Sequence, residues 1–149
     1  MMLKFLALLS FLALSVVAAE PDPKWESQVA ALEASHRDAP ALKNAVLFIG
    51  SSSIRGWKNV AKDFPDLPVI NHGFGGSQII DAVAYFDRLV LPFHPRLVVF
   101  YSGTNDLANG KSPETVAADF RTFCAKLHAT SPEARILFIG LVMAPARWE

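Results

Sequence analysis

Residues 45–50 read Ala45-Val46-Leu47-Phe48-Ile49-Gly50, and residues 51–57 follow as Ser51-Ser52-Ser53-Ile54-Arg55-Gly56-Trp57. The first stretch is a short, uncharged apolar run ended by glycine, the pattern of a strand buried on both faces. Outward from it the same pattern returns three times. Pro68 to Asn71 gives a second strand, closed by a glycine cluster, Leu97 to Tyr101 a third, and Arg135 to Leu141 a fourth. Helical periods lie between them. Ile79, Val83, Phe86 and Val90 step by four, three and four, which predicts one helix with a single apolar face. Val116, Phe120, Phe123 and Leu127 repeat that spacing. Ahead of them, Ser112-Pro113-Glu114 supplies an N-cap, a proline at the first helical position and an acid in the first turn. Before the first strand, Trp25, Val29 and Leu32 mark an amphipathic helix. Strands alternating with helices imply a parallel sheet covered on both faces. Right-handed crossovers make it a three-layer, doubly wound α/β sheet of flavodoxin-like order 2-1-3-4-5.

Composition narrows the function. The 149 residues carry 14 basic and 14 acidic side chains, a formal net charge of zero. No basic field is available for general nucleic-acid binding. The apolar fraction, 52%, is raised by one end: Met1 to Ala19 holds 16 apolar residues out of 19, with Lys4 the only charge. Small residues Val17-Ala18-Ala19 then precede the polar Glu20-Pro21-Asp22-Pro23. This reads as a secretory signal peptide over residues 1–19, with an uncleaved anchor as the alternative. The expectation is one domain from residue 20 to 149, secreted or periplasmic, with no stable membrane anchor after cleavage. Cys124 is the only cysteine and falls beside Phe120 and Leu127 on a helical face, so a buried thiol is expected rather than a redox group.

In a doubly wound sheet, ligands bind at the carboxyl ends of the strands. The segments there are Gly50 to Trp57, Asn71-His72-Gly73-Phe74-Gly75-Gly76-Ser77, and Ser102-Gly103-Thr104-Asn105-Asp106. All three are polar and contain glycine. A serine at a helix start, with backbone amides and an Asn amide nearby to hold an oxyanion, is the equipment of acyl transfer. Taken singly, each segment also reads as a helix cap, a tight turn or a loop. The three in order, each after a strand, are far more specific.

From about Ala45 onward the chain resembles the SGNH hydrolases, also called the GDSL-like lipase/acylhydrolase family, and in particular the branch related to platelet-activating-factor acetylhydrolase. The resemblance implies a serine esterase of short acyl esters, carbohydrate acetyl esters among them, with no cofactor. It maps the nucleophile to Ser52, two residues after Gly50, with Ser51 in place of the usual acid. It maps the oxyanion glycine to Gly76 and the oxyanion asparagine to Asn105, so that the Ser52 and Gly76 amides and the Asn105 side chain form the oxyanion hole.

The family's fourth block, Asp-x-x-His, supplies the base and its orienting acid, and this sequence contains no such block. The expectation is therefore a truncated domain, lacking the fifth strand and last helix and inactive or crippled as it stands. Of the four histidines, His36 belongs to the first helix, and His94 and His128 precede strands at the far edge. His72 follows a strand at the catalytic edge and is expected as a loop residue beside the pocket. No residues have metal-ligand spacing. Two other readings remain open. A non-catalytic ester- or glycan-binding module would keep the pocket without the base, with Trp57 and Phe74 as apolar walls. A nucleotide-binding module is suggested by Gly73-Phe74-Gly75-Gly76, but Gln78 stands where a dinucleotide fingerprint needs glycine, and the cluster follows the second strand.

Overall fold

The computed structural model describes residues 19–36, 42 and 44–142, so the signal peptide expected over residues 1–19 lies, but for Ala19, outside the described residues. Strands β1 (Val46–Gly50), β2 (Val69–Gly73), β3 (Leu97–Tyr101) and β4 (Arg135–Phe138) form a parallel sheet ordered β2-β1-β3-β4. The register sets Gly50 level with Gly73 on one side and Tyr101 on the other, so the three strands end together. Among the described residues seven α-helices accompany the strands: α1 (Glu26–His36), α2 (Ser52–Gly56), α3 (Val60–Asp63), α4 (Ile79–Ala84), α5 (Phe86–Leu89), α6 (Thr104–Ala108) and α7 (Pro113–Thr130).

The strand period of two sorts side chains onto two faces. Leu47, Ile49, Ile70, Val98 and Phe100 share a core with residues of α1, α4, α5 and α7. Val46, Phe48 and Val99 share a smaller one with Ile54 of α2 and Val60 of α3. This is why every residue of β1 is buried. The expected cap of α7 is present: the Ser112 hydroxyl accepts from the Thr115 amide at 3.2 Å, with Pro113 at the first helical position.

Three elements depart from the expectation. The helix over residues 79–90 is two helices, broken at Tyr85. Tyr85 is 1% exposed, and its hydroxyl donates to the Asp22 carbonyl at 2.8 Å, anchoring the segment ahead of α1. β4 ends at Phe138 rather than residue 141, although the Ile139 amide still donates to the Phe100 carbonyl at 2.9 Å. β2 runs on to Gly73, two residues past the expected end.

The last difference relocates His72. It is a strand residue, fully buried, with its ring against His36 and Phe93 on the α1 side of the sheet. Its Nδ1–H donates to the Leu89 carbonyl at 2.6 Å, so Nε2 is the atom that would take up a proton. Nε2 is buried without a hydrogen-bond partner. Burial outweighs the Leu89 contact and lowers the pKa from 6.5 to about 4. The unfolded chain therefore binds the proton more readily than the native chain between these values. Stability contributed by neutral His72 is complete above pH 6.5 and is lost as pH falls towards 4, by about 3 kcal/mol. Denaturant unfolding at pH 7 and pH 4 should show this loss in the wild type. His72→Gln, which keeps a donor for Leu89 but does not titrate, should lose about 3 kcal/mol less than wild type over the same range.

β4 is one of the two outer strands among the described residues, and Leu137 is 54% exposed, Ile139 36% and Val142 68%. An apolar outer strand is a template for pairing with another chain. The chain of residues 20–149 should therefore self-associate on size exclusion, and Leu137→Lys should shift it towards monomer.

Candidate active site

The site begins at the turn from β1 into α2. The Ser51 amide donates to the Tyr101 carbonyl at 3.2 Å, and the Ser51 carbonyl accepts from the Arg55 amide at 3.0 Å. Ser51 is thus spent on the turn and is 5% exposed. Ser52 and Ser53 are exposed, and Ser52 opens α2 at the carboxyl end of the sheet.

The first turn of α2 lies directly on the end of β2. A Cβ placed on Gly73 would overlap the backbone of Ile54 and Arg55. Only a residue without a side chain permits that approach. Asn71 fastens the same contact: its Nδ2 donates to the Ile54 carbonyl at 2.8 Å and the Trp57 carbonyl at 3.1 Å, while its Oδ1 accepts from the Gly73 amide at 2.9 Å.

The glycine loop after β2 is held on three sides. The Phe74 amide donates to the Gly50 carbonyl at 3.0 Å, and the Gly75 amide donates to Gln28 Oε1 of α1 at 2.9 Å. Gly76 is exposed, with φ +84°, and the Trp25 ring lies 3.1 Å from where its Cβ would stand. From the third side, Asn105 Nδ2 donates to the Ser77 carbonyl at 2.8 Å. Its neighbour Asp106 is fully buried, accepts from the Ile79 amide at 3.2 Å, and meets Lys111 Nζ at 3.1 Å. Lys111 also meets Asp119 of α7 at 2.7 Å. Burial works against the Lys111 charge, but the hydrogen bonds it donates to Asp119 and Asp106 outweigh it and raise its pKa.

The segments bearing Ser52, Gly76 and Asn105 therefore interlock at one edge of the sheet. An exposed hydroxyl stands there beside a loop whose backbone is fixed before any ligand arrives. Such fixed donors can stabilise charge developing on a carbonyl oxygen without reorganising. Among the described residues no histidine faces Ser52. His72 points into the core on the other side, with His36 against it. His94 precedes β3, and His128 Nε2 meets the Ala134 carbonyl at 3.2 Å ahead of β4. Among the described residues no cluster of His, Cys and acidic side chains could hold a metal ion. Cys124 is half-buried, and burial pushes its thiol pKa up.

Sequence reasoning did not name Gln28, and it gave Trp25 and Asn71 no part in holding the site. Asn71 could have been found from its place just before the glycine cluster. Gln28 and Trp25 carry no local signal, because their targets lie about 50 residues away in the chain.

The model of the GDSL-like lipase/acylhydrolase family matches residues 49–149. The chain belongs to that family. Solved structures with the same fold include a candidate platelet activating factor from Streptococcus pneumonia, 15% identical, TM-score 0.71, covering 80% of this chain and 56% of that one. A GDSL-like lipase from Bacteroides thetaiotaomicron is 22% identical, TM-score 0.63, covering 84% and 62%. A candidate acylhydrolase from Bacteroides fragilis is 23% identical, TM-score 0.59, covering 78% and 55%. The GDSL-family chain thus spans a little over half the length of these relatives. No curated protein matches it. Among the described residues no helix is long and apolar enough to cross a membrane.

The contact between α2 and β2 is open to test. Gly73→Ala should destabilise the fold by about 1–3 kcal/mol or more, because backbone, not a flexible side chain, occupies the Cβ position. Gly56→Ala, with nothing within 4 Å of its Cβ, should be neutral or stabilising in the same urea titration.

Proposed function

We propose that this GDSL-family chain carries the acylating half of a serine esterase. Ser52 Oγ attacks the carbonyl carbon of an ester. The carbonyl oxygen gains charge and is met by the backbone amides of Ser52 and Gly76 and by the side-chain amide of Asn105. The Ser52 hydroxyl proton passes to solvent, the ester C–O bond breaks and the departing oxygen takes a proton from water to leave as the alcohol. A second water then cleaves the acyl-serine bond, releasing the acid and restoring the Ser52 hydroxyl. The observation that supports the reading is the tying of the loops at the strand ends, where Asn105 Nδ2 holds the Ser77 carbonyl and Gln28 holds the Gly75 amide, together with an exposed Ser52 at a strand-to-helix turn.

Among the described residues no histidine is placed to take the Ser52 proton, so acylation by this chain is expected to be slow. Removing the base of a catalytic triad leaves roughly 10³–10⁴-fold acceleration over water in serine proteases. The substrate reading is short acyl esters, carbohydrate acetyl esters included, since the exposed Ser52 leaves room for a bulky alcohol. The leader sequence over residues 1–19 supports export, and residues 20–149 form the domain.

A nucleotide-binding role fits less well. The Gly75 amide already serves Gln28, the Gln78 amide serves Asp81 at 2.8 Å, and the Ile79 amide serves Asp106. The donors a pyrophosphate would need at the start of α4 are taken.

Incubation with p-nitrophenyl acetate, followed by peptide mass spectrometry, tests the reading. The acetyl adduct should lie on Ser52 and be lost in Ser52→Ala. An adduct on Ser51 or Ser53 instead would refute the assignment. Asn105→Ala should slow acylation about 10²–10³-fold with little change in KM. Saturable sugar binding with no adduct at all would favour a non-catalytic binding module.

A further inference from the structure

Four cations of the described structure face carboxylates: Lys24 meets Asp22, Arg88 meets Glu26 and Glu33, Lys111 meets Asp106 and Asp119, and Lys126 meets Asp87. Arg55 differs. It is exposed, and its contact is a neutral amide, Nη1 donating to Gln28 Oε1 at 3.5 Å. Among the described residues it meets no carboxylate. Yet its guanidinium is not loose in solvent. It lies over Gly75 so closely that a Cβ there would overlap its Cζ, Nε and Nη2 atoms. The Gln28 oxygen serves both this guanidinium and the Gly75 amide. Helix α2, the glycine loop and α1 therefore converge to set one unneutralised cation.

Its place relative to Ser52 follows from the helix. Residues three apart lie on the same face, with Cβ atoms about 5–6 Å apart. Gly75 is also the immediate neighbour of Gly76. The guanidinium thus lies on the glycine loop next to Gly76, and its residue shares a helix face with Ser52. We infer that Arg55 is a specificity-determining residue that receives a carboxylate or phosphate carried by the substrate next to the scissile ester. A planar fork of N–H donors matches either group in bidentate fashion. The inference rests on Ser52 as the reacting centre and adds a substrate class: acyl esters with an anionic substituent.

Binding separates this inference from the esterase reading. Isothermal titration of the full chain would use 4-acetamidobenzoate, an amide analogue of an acetyl ester, against its neutral methyl ester. A second arm, 4-acetamidophenyl phosphate, distinguishes phosphate from carboxylate. The anions should bind about tenfold more tightly than the methyl ester, the scale of a charge-assisted hydrogen bond. Added NaCl should reduce the difference. Arg55→Gln should abolish it, Arg55→Lys should keep part of it, and Ser52→Ala should keep all of it. Equal binding of anion and methyl ester by the wild type, or an unchanged preference in Arg55→Gln, would overturn the inference. Turnover of 4-acetoxybenzoate is followed in parallel. If Ser52→Ala retains it, the esterase assignment falls, while the titrations still decide the role of Arg55.

Discussion

The site depends on one contact, the seat of the first turn of α2 on the bare backbone of Gly73. Because β1 and β2 are in parallel register, Gly50 and Gly73 end level, and the chain leaving Gly50 must pass over β2 at once. Any side chain at position 73 would push α2 outward and carry Ser52 with it. Asn71 makes the contact directional, binding α2 carbonyls with its amide and the Gly73 amide with its oxygen. The glycine loop can then fold back, with the Phe74 amide on the Gly50 carbonyl that ends β1.

The second tier of the site is polar and buried. Asp106 joins the start of α4 to Lys111, and Lys111 reaches Asp119 on α7. A buried carboxylate is tolerated only when its lone pairs are met, and breaking such a set leaves a charge stranded. The loop bearing Asn105 is therefore tied to two helices by the residue that follows it. Burial raises the pKa of Asp81 at the other end of this region, against the hydrogen bond from the Gln78 amide, which lowers it. The candidate site is thus framed by two carboxylates of different character, one wholly enclosed and one at the margin.

Much of this was legible in the sequence, for a physical reason. Strands buried on both faces read as uncharged runs, so β1 and β3 stood out nearly residue for residue. The cap and proline of α7 announced its start. The strand order followed from handedness. The parts that were not legible depend on contacts across the fold. The break falls at Tyr85, whose hydroxyl reaches Asp22, 63 residues away. His72 reads as a loop residue because Asn-His-Gly is turn-like chemistry, yet ladder pairing with β1 carries the strand through it. Ser52, Gly76 and Asn105 entered as candidates through family resemblance; the contacts that hold their loops were not legible, since Gln28 and Trp25 act from α1 and the turn before it.

Helix α1 has a further consequence for the chemistry. It joins no sheet ladder and is held to the body by side chains, among them Arg88 bound to Glu26 at 2.7 Å and to Glu33 at 2.6 Å. These groups are between a third and a half exposed, so salt screens their attraction. The same helix carries Gln28, whose oxygen fixes the Gly75 amide and orients Arg55. Ionic strength therefore acts on the rigidity of the glycine loop from a distance, through the seating of a helix that touches no reacting atom.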